Sequence, residues 1–241
     1  MRGALESLAG TLWRLMQQPW AWVLLAVAGL AAWLNSRRGK GQEGEAIVRW
    51  KLRRGLPSPD YQCLHGVLLP AREGETTEVD HIVCSCFGIF VMETKNWKGW
   101  IKGTAEAAEW RVFYGKGRKK IRQNPVRQNA GHIRALAALL ELPLTCFHNV
   151  VYMAGEAELK DGPLPGVVTG GLADYIKSFR QPLLDAATAA DCAARIAKAS
   201  LSGIAGAKAA HVARLRDRRR VPGRSAVGEG GRLRRGRRGP D

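Results

Sequence analysis

Two hydrophobic runs joined by a very short turn constrain the fold of this chain more than any other feature. Residues 79–86 and 89–96 are dominated by apolar and β-branched side chains, and only Phe87-Gly88 separates them. Runs of this composition across a tight connection predict two antiparallel strands of a β-hairpin. The chain is therefore expected to contain a sheet that includes this hairpin.

The other predicted elements follow one another in an order that indicates the fold class. Helical spacing of Ile47, Val48 and Leu52 predicts a helix over 45–54, and a second helical pattern covers 126–142. Further strand-like runs are found at 61–69, 100–102, 110–114 and 147–153. A helix, a β-meander, a helix and a last strand predict an α/β fold in which a mixed sheet is flanked by helices.

Three ionisable residues lie inside the hydrophobic strands of the hairpin: Asp80, Glu93 and Lys95. Because strand side chains alternate, Glu93 and Lys95 share one face of their strand. Asp80 precedes the turn by about as many residues as Glu93 follows it, so an in-register hairpin places both carboxylates at the same level. The alternative is an ordinary salt pair between Glu93 and Lys95, with Asp80 capping a turn. The residues alone leave these two interpretations even.

Two carboxylates and one ammonium group at one place suit hydrolysis of a phosphodiester. Asp80 and Glu93 would supply the hard oxygen ligands that Mg²⁺ prefers, with Mn²⁺ as an alternative ion. The bound ion polarises a phosphoryl oxygen, while Lys95 orients or deprotonates the attacking water and offsets charge in the transition state. The hairpin therefore predicts a metal-dependent site acting on phosphodiesters.

An uncharged apolar stretch lies at 19–34, with tryptophans at both of its ends as in a membrane-interface belt. We expect a transmembrane anchor over 19–36, after an N-terminal segment at 1–18. Basic residues follow directly, so the positive-inside rule places the body of the protein in the cytoplasm, on the inner membrane. A cleaved signal peptide and a buried core helix fit less well. Five cysteines without regular spacing agree with a reducing compartment.

The chain is strongly basic, with 38 Lys and Arg against 21 Asp and Glu and a formal net charge of +17. This balance favours a polyanionic partner, either nucleic acid or an anionic lipid surface. We expect an Ala-rich helical extension at 171–213 and a disordered Arg-rich tail at 214–241. A solvated hairpin loop or a contact with a phosphate backbone is expected of the basic stretch that contains Lys116, Arg118, Lys119, Lys120 and Arg122.

Several segments in succession resemble the nuclease-related domain (NERD) family. They are GEAIVRWKL at 44–52, TTEVDHIVCSCFGIFVMETKNWKGWIKG at 76–103, Trp110, and QNPVRQNAGHIRAL at 123–136. The core of that family is similar to the PD-(D/E)xK restriction-endonuclease fold. The resemblance therefore implies a restriction-endonuclease-like domain at 42–155, and an N-terminal membrane helix also fits the family.

The resemblance also implies roles for individual residues. Asp80, Glu93 and Lys95 match the D…ExK triad of the family, Glu45 in the first helix is a supporting acid, and Gln128 is a further site residue. Taken by itself, Glu45 has an equally good explanation as an acid favoured by the helix dipole.

Three neighbouring polar residues are expected to have structural roles. Asn129, like Gln128, has the alternative role of satisfying loop backbone groups, and the resemblance ranks Gln128 above it. His81 is expected on the strand face opposite Asp80. His132 follows Gln128 by one helical turn, and we expect it to be exposed or capped rather than part of the site.

The function expected from these features is membrane-anchored, divalent-metal-dependent hydrolysis of nucleic acid, with DNA favoured over RNA. The alternative is a non-catalytic nucleic-acid-binding or membrane-tethered scaffold module that retains the nuclease fold. An intact triad favours the enzyme, because a pure binder has no need of clustered carboxylates facing a polyanion. A homodimer is a further expectation, since many enzymes of this fold cut duplexes with paired active sites.

Overall fold

The computed structural model describes residues 17–35, 37–70, 75–115 and 117–220. Within these residues nine strands are formed. They are β1 (Gln62–Pro70), β2 (Thr76–Ser85), β3 (Gly88–Lys95), β4 (Gly99–Lys102), β5 (Glu109–Tyr114), β6 (Arg118–Gln123), β7 (Phe147–Met153), β8 (Ala157–Leu159) and β9 (Val167–Val168). The helices are α1 (Pro19–Asn35), α2 (Arg37–Gly55), α3 (Pro125–Leu140), α4 (Leu172–Lys177), α5 (Ala186–Ala199) and α6 (Ala207–Arg220), and a 3-10 turn covers Leu144–Cys146.

The strands form two mixed sheets. The first has the order β1-β2-β3-β7-β9 and the second the order β6-β5-β4-β8. In the first sheet β2 and β3 are the predicted antiparallel hairpin, while β3 and β7 run parallel. A parallel pair needs a crossover connection, and the segment that contains α3 supplies it. The predicted mixed α/β fold is therefore confirmed.

Helices cover both faces of the first sheet. On one face α2 packs Val48 and Leu52 against Phe90 and Met92 of β3 in a fully buried cluster. On the other face, residues of α3 and α5 pack on the same strands, and the members of this cluster include Val79, Ile82, Val91, Ile133, Leu136, Cys192 and Ile196. The hairpin is thus held between two apolar layers, which fixes the direction of every side chain along it.

Several predicted boundaries are wrong. The helix predicted at 45–54 begins at Arg37, so the Gly-rich stretch at 39–44 is helical. The predicted extension at 171–213 contains α4, α5 and the first part of α6, and residues 214–220 of the predicted disordered tail also belong to α6. The rest of that tail lies outside the described residues, as does most of the N-terminal segment 1–18. The basic stretch, for which a solvated hairpin loop was one of two expectations, forms β6 and pairs along its length with β5.

The apolar N-terminal stretch forms α1, a helix of 17 residues in which Trp20 and Trp22 are exposed. Among the described residues, no helix has the combination of length and apolar character that crossing a membrane requires. The transmembrane helix predicted over 19–36 is therefore not found. At about 1.5 Å per residue α1 reaches roughly 26 Å, which is shorter than a hydrocarbon core of about 30 Å.

A pair of histidines lies between the first two strands. His65 and His81 are opposite one another in β1 and β2, and their Nδ1 atoms are 2.8 Å apart. His81 is fully buried. Burial, followed by the positive charges of His65 and Arg49, lowers the pKa of His81 to about 3. His81 is therefore neutral in the folded protein and part of its core.

Acidification from pH 7 to pH 5 is expected to destabilise the wild-type protein more than the His81→Leu variant. The pKa of His81 is 6.5 when unperturbed and about 3 when folded, so the unfolded chain binds the additional proton. The stability that neutral His81 provides is complete above pH 6.5 and falls as the pH decreases toward 3. The difference at pH 5 is about 2 kcal/mol. Urea unfolding of both proteins at the two pH values measures it, and equal losses would contradict the neutral assignment.

Candidate functional site

The alternation of side chains between the two faces of the sheet is interrupted at Asp80. Val79 and Ile82 pack in the same apolar cluster although they are three residues apart, so strict alternation is interrupted between them. On the neighbouring strand Gly66 adopts a φ of 60°, a conformation that favours glycine, and the ladder of β1 and β2 passes over the pair Gly66 and Asp80. Asp80 thus lies at an irregular point of the sheet.

Asp80 is nevertheless attached to the hairpin at the predicted level. The backbone pairing of β2 and β3 ends at His81 and Met92, so the next residues of the two strands are Asp80 and Glu93. Instead of a backbone carbonyl, the Asp80 carboxylate continues the pairing, because its Oδ2 accepts a hydrogen bond of 2.8 Å from the Thr94 N–H. The carboxylate is therefore fixed beside β3 at the position between Glu93 and Lys95.

Glu93 and Lys95 contact each other directly. Glu93 is 3% exposed, and Lys95 Nζ donates a hydrogen bond to its Oε1. Lys95 Nζ also donates to Oε1 of Gln128 at 3.1 Å. The structure therefore brings together Asp80, Glu93, Lys95 and Gln128, four of the residues that the sequence singled out.

The N-terminus of α3 holds Gln128 in place. Asn124 caps the helix, since its Oδ1 accepts from the Val126 N–H at 2.9 Å, and Pro125 occupies the first turn. Asn124 Nδ2 lies within hydrogen-bond distance of the backbone carbonyls of Thr104, Ala105 and Ala107. The loop before the helix is thus tied to the cap, which fixes the turn from which Gln128 reaches Lys95.

Asn129 has a structural role, although its backbone partners lie on strands rather than in the loop that was expected. It is fully buried, and its Nδ2 lies 2.7 Å from Val91 O, 2.8 Å from Asn149 Oδ1 and 3.2 Å from Val150 O. These acceptors belong to β3 and β7. Asn129 therefore ties α3 to the two parallel strands behind the site.

The expectation that His132 is exposed or capped is wrong. His132 is 7% exposed, its Nε2 is 3.3 Å from Glu93 Oε2, and its Nδ1 is 2.7 Å from Thr77 Oγ1. His132 therefore lies between Thr77 of β2 and Glu93 of β3 and contacts both side chains. His132 follows Gln128 by one turn on the same side of α3, and this spacing was the available indication that both face the sheet.

The electrostatic environments of the two carboxylates differ. Burial and the negative charge of Glu93 raise the pKa of Asp80, and the hydrogen bond from Thr94 opposes this in part. Burial also raises the pKa of Glu93, but the contact with His132 and the positive charge of Lys95 outweigh it, and the net pKa is lowered. Glu93 is held as an anion, and a positive charge beside Asp80 would favour its ionised form.

Glu45 and Glu78 extend this acidic cluster. Glu45 comes from α2 and is half-buried; burial and the charge of Glu78 raise its pKa, with a smaller effect of Glu93. Glu78, two residues before Asp80, was missed by the sequence analysis. Its Oε1 is 2.5 Å from Nζ of Lys208, a residue of α6 that was also missed because 130 positions separate the two in the chain.

The basic residues predicted to contact nucleic acid lie on the second sheet. Lys116 lies outside the described residues. Within β6, alternation directs Arg118, Lys120 and Arg122 to one face and Lys119 to the other, so they form two groups rather than one cluster. The strand leads directly into the Asn124 cap of α3, which connects this basic edge to the site.

The donor set fits a hard divalent cation. Among the described residues, no three Asp, Glu, His or Cys side chains are grouped so as to hold a metal ion. Mg²⁺ is commonly bound by one or two carboxylates and keeps several waters. Asp80 and Glu93 supply two such carboxylates, and the mutual repulsion that raises the pKa of Asp80 is what a bound cation would relieve.

The aspartate, the glutamate and the lysine of this mixed α/β fold lie within one segment that matches a known family. Residues 40–154 match the family model described as the nuclease-related domain, NERD, and the chain therefore carries a NERD domain over these residues. An uncharacterized protein of Bacillus anthracis is 44% identical over 108 residues, which are 44% of this chain and 50% of that relative. The chain thus spans half the length of the relative that it matches. No solved structure matches the chain.

Proposed function

We propose that this protein is a divalent-metal-dependent nuclease that hydrolyses phosphodiester bonds of nucleic acid, with DNA as the favoured substrate. The observation that carries the proposal is the contact of Glu93 with Lys95 on β3, beside the Asp80 carboxylate held on the Thr94 N–H. Two carboxylates and an ammonium group in a buried strand pair have no evident structural purpose, since apolar residues would fill the same positions at a lower desolvation cost.

Asp80 and Glu93 are the residues that would hold Mg²⁺ or Mn²⁺. When bound, the ion would supply Lewis acidity toward the phosphoryl oxygen and lower the pKa of a coordinated water. Glu93 is kept ionised and oriented by His132 and Lys95. Glu45 adds negative charge from α2 and acts on Asp80 and Glu93 through electrostatic interaction.

Lys95 is the residue proposed to act on the substrate. Its ammonium group is directed by Glu93 and by Gln128 at 3.1 Å, and its side chain is 18% exposed. A charge held this way needs little reorganisation when negative charge develops on the phosphoryl oxygens. The role of Gln128 is to hold the lysine in that direction.

The proposal also covers the fold type, the attachment to a membrane, the contact with nucleic acid and the oligomeric state. The parallel pair β3 and β7, joined through α3, supports a restriction-endonuclease-like core. The exposed apolar residues of α1 support attachment to a membrane, and the basic residues that follow in the sequence favour the cytoplasmic side of the inner membrane. The exposed Arg118, Lys119 and Lys120 of β6 support contact with a phosphate backbone. A homodimer stays a prediction.

Cleavage assays with the full chain test the function. Plasmid, linear duplex and single-stranded DNA and RNA are incubated with Mg²⁺, Mn²⁺ or EDTA. We expect metal-dependent cutting of DNA that is lost in Asp80→Ala and kept in Asp191→Ala, which replaces an exposed acid of α5. Absence of cutting by the wild type, together with salt-sensitive binding of DNA, would favour the non-catalytic binding module instead.

A further inference from the structure

The C-terminal helix lies against the acidic side of the proposed site. Lys208 Nζ donates to Glu78 Oε1 at 2.5 Å, and His211 Nδ1 is 2.8 Å from Thr76 Oγ1. Lys208 and His211 are three residues apart on α6 and share one side of the helix. Thr76 and Glu78 are two residues apart and lie on one face of β2, at the start of the strand and just before Asp80.

The position of α6 is fixed by contacts that do not involve Lys208. The Leu201 N–H donates to Leu68 O at 2.7 Å, and the Leu68 N–H donates to Ser202 Oγ at 2.9 Å. Ser202 Oγ in turn donates to Gly66 O at 2.6 Å. These bonds attach the segment before α6 to the edge strand β1 around Gly66, the residue across from Asp80. His211, which is 7% exposed, anchors the helix one turn beyond Lys208.

Acidic side chains outnumber basic ones in this region. Four carboxylates, those of Glu45, Glu78, Asp80 and Glu93, interact with one another, and the ammonium groups of Lys95 and Lys208 flank them. Arg49 also acts on Glu45, so three cationic side chains oppose the four carboxylates. Without Lys208 two cationic side chains instead of three would oppose the carboxylates, which makes this place less favourable for a phosphodiester.

We propose that Lys208 is a substrate-positioning residue of the nuclease site, which offsets the charge of the acidic cluster and binds a backbone phosphate of the nucleic acid. The lysine side chain is 61% exposed, so its ammonium group is accessible to a phosphate while Glu78 directs it. This role rests on the proposed function. It also gives the Ala-rich extension a purpose, since α6 completes a site whose other residues belong to 40–154.

Two binding measurements on the full chain test the role of Lys208. Lys208→Gln is compared with Lys208→Arg and with Lys198→Gln, which replaces an exposed lysine of α5. In EDTA, Lys208→Gln is expected to bind a short DNA duplex roughly eightfold more weakly at 0.1 M salt, with the slope of log K against log salt reduced by about 0.9. Without DNA, the same variant is expected to bind Mn²⁺ several-fold more tightly, because a nearby positive charge is gone.

The opposite directions of the two changes separate this role from a loss of folding. Lys208→Arg restores wild-type DNA binding and Lys198→Gln leaves both affinities unchanged if the inference is right. Unchanged DNA affinity in Lys208→Gln, or a fall of both affinities together, would overturn it. If the wild type binds DNA without cutting it and Lys208→Gln still changes both affinities, the nuclease is refuted and Lys208 remains a DNA-positioning residue. If the wild type cuts DNA and Lys208→Gln changes neither affinity, only the role of Lys208 is refuted.

Discussion

Lys95→Met is expected to lower the rate of nucleic-acid cleavage by about 10²–10³-fold, the usual effect of removing one preorganised electrostatic donor. Methionine preserves the length and the apolar stem of the side chain and removes the ammonium group that Glu93 and Gln128 direct. Glu93 keeps its contact with His132, so the fold and the affinity for Mn²⁺ are expected to remain. Initial cleavage rates at saturating Mn²⁺ measure the effect.

Lys98→Met is the matched control for this variant. Lys98 follows Lys95 by three residues but is largely exposed, and it pairs with Glu156 at 3.1 Å away from the triad. Its replacement is expected to leave the cleavage rate unchanged within about twofold, as for surface ion pairs of small energetic weight. Cleavage that survives in Lys95→Met, or that falls equally in both variants, would show that Lys95 has no special part in the reaction.

Trp110→Ala is expected to lower the free energy of unfolding by about 3–5 kcal/mol and the melting temperature by roughly 10 °C. Trp110 is fully buried in a cluster that joins the two sheets, since its members include Val112 of β5 and Met153 of β7. Its Nε1 donates to Thr104 O at 2.8 Å. The indole ring also lies so close to Gly103 that a Cβ there would come within 2.2 Å of it.

Trp100→Ala separates burial from the mere loss of an indole ring. Trp100 belongs to β4 of the same sheet but is 54% exposed. Its replacement is expected to cost less than about 1 kcal/mol, as at other exposed positions. Thermal unfolding of both variants gives the comparison. A loss of stability in Trp110→Ala as small as that in Trp100→Ala would mean that the contact between the sheets contributes little to stability.

The hairpin and the proximity of Asp80, Glu93 and Lys95 could be predicted because they depend on local patterns. Alternation places Glu93 and Lys95 together whatever the rest of the chain does. The short turn at Phe87-Gly88 sets the register, which continues as expected to His81 and Met92. Within this part of the chain, sequence spacing and three-dimensional distance are nearly the same information.

The remaining parts of the site depend on contacts between distant segments. Lys208 reaches Glu78 across 130 positions, and no local pattern indicates the bonds of Leu201 and Ser202 to the edge strand β1 that hold its helix in place. His132 was placed wrongly because its burial requires α3 to dock on the sheet with one particular face. Tertiary packing determines the positions of Lys208 and His132, and this packing cannot be read from a single sequence.

The basic strand β6 shows how pairing overrides local composition. RKKIRQ has one apolar residue and is typical of a solvated loop. Its partner β5 buries Trp110 and Val112, and each residue from Arg118 to Gln123 pairs with a residue of that strand. The strand therefore forms because its neighbour is anchored in the core, while its own side chains stay largely exposed.

The binding of Mn²⁺ to the full chain, measured by titration calorimetry without nucleic acid, tests most directly whether Asp80 and Glu93 form a metal site. The wild type and Asp191→Asn are expected to bind the ion alike, whereas Asp80→Asn and Glu93→Gln lose measurable binding and remain folded by circular dichroism. Equal Mn²⁺ affinity in all four proteins would contradict a metal-dependent nuclease centred on this hairpin.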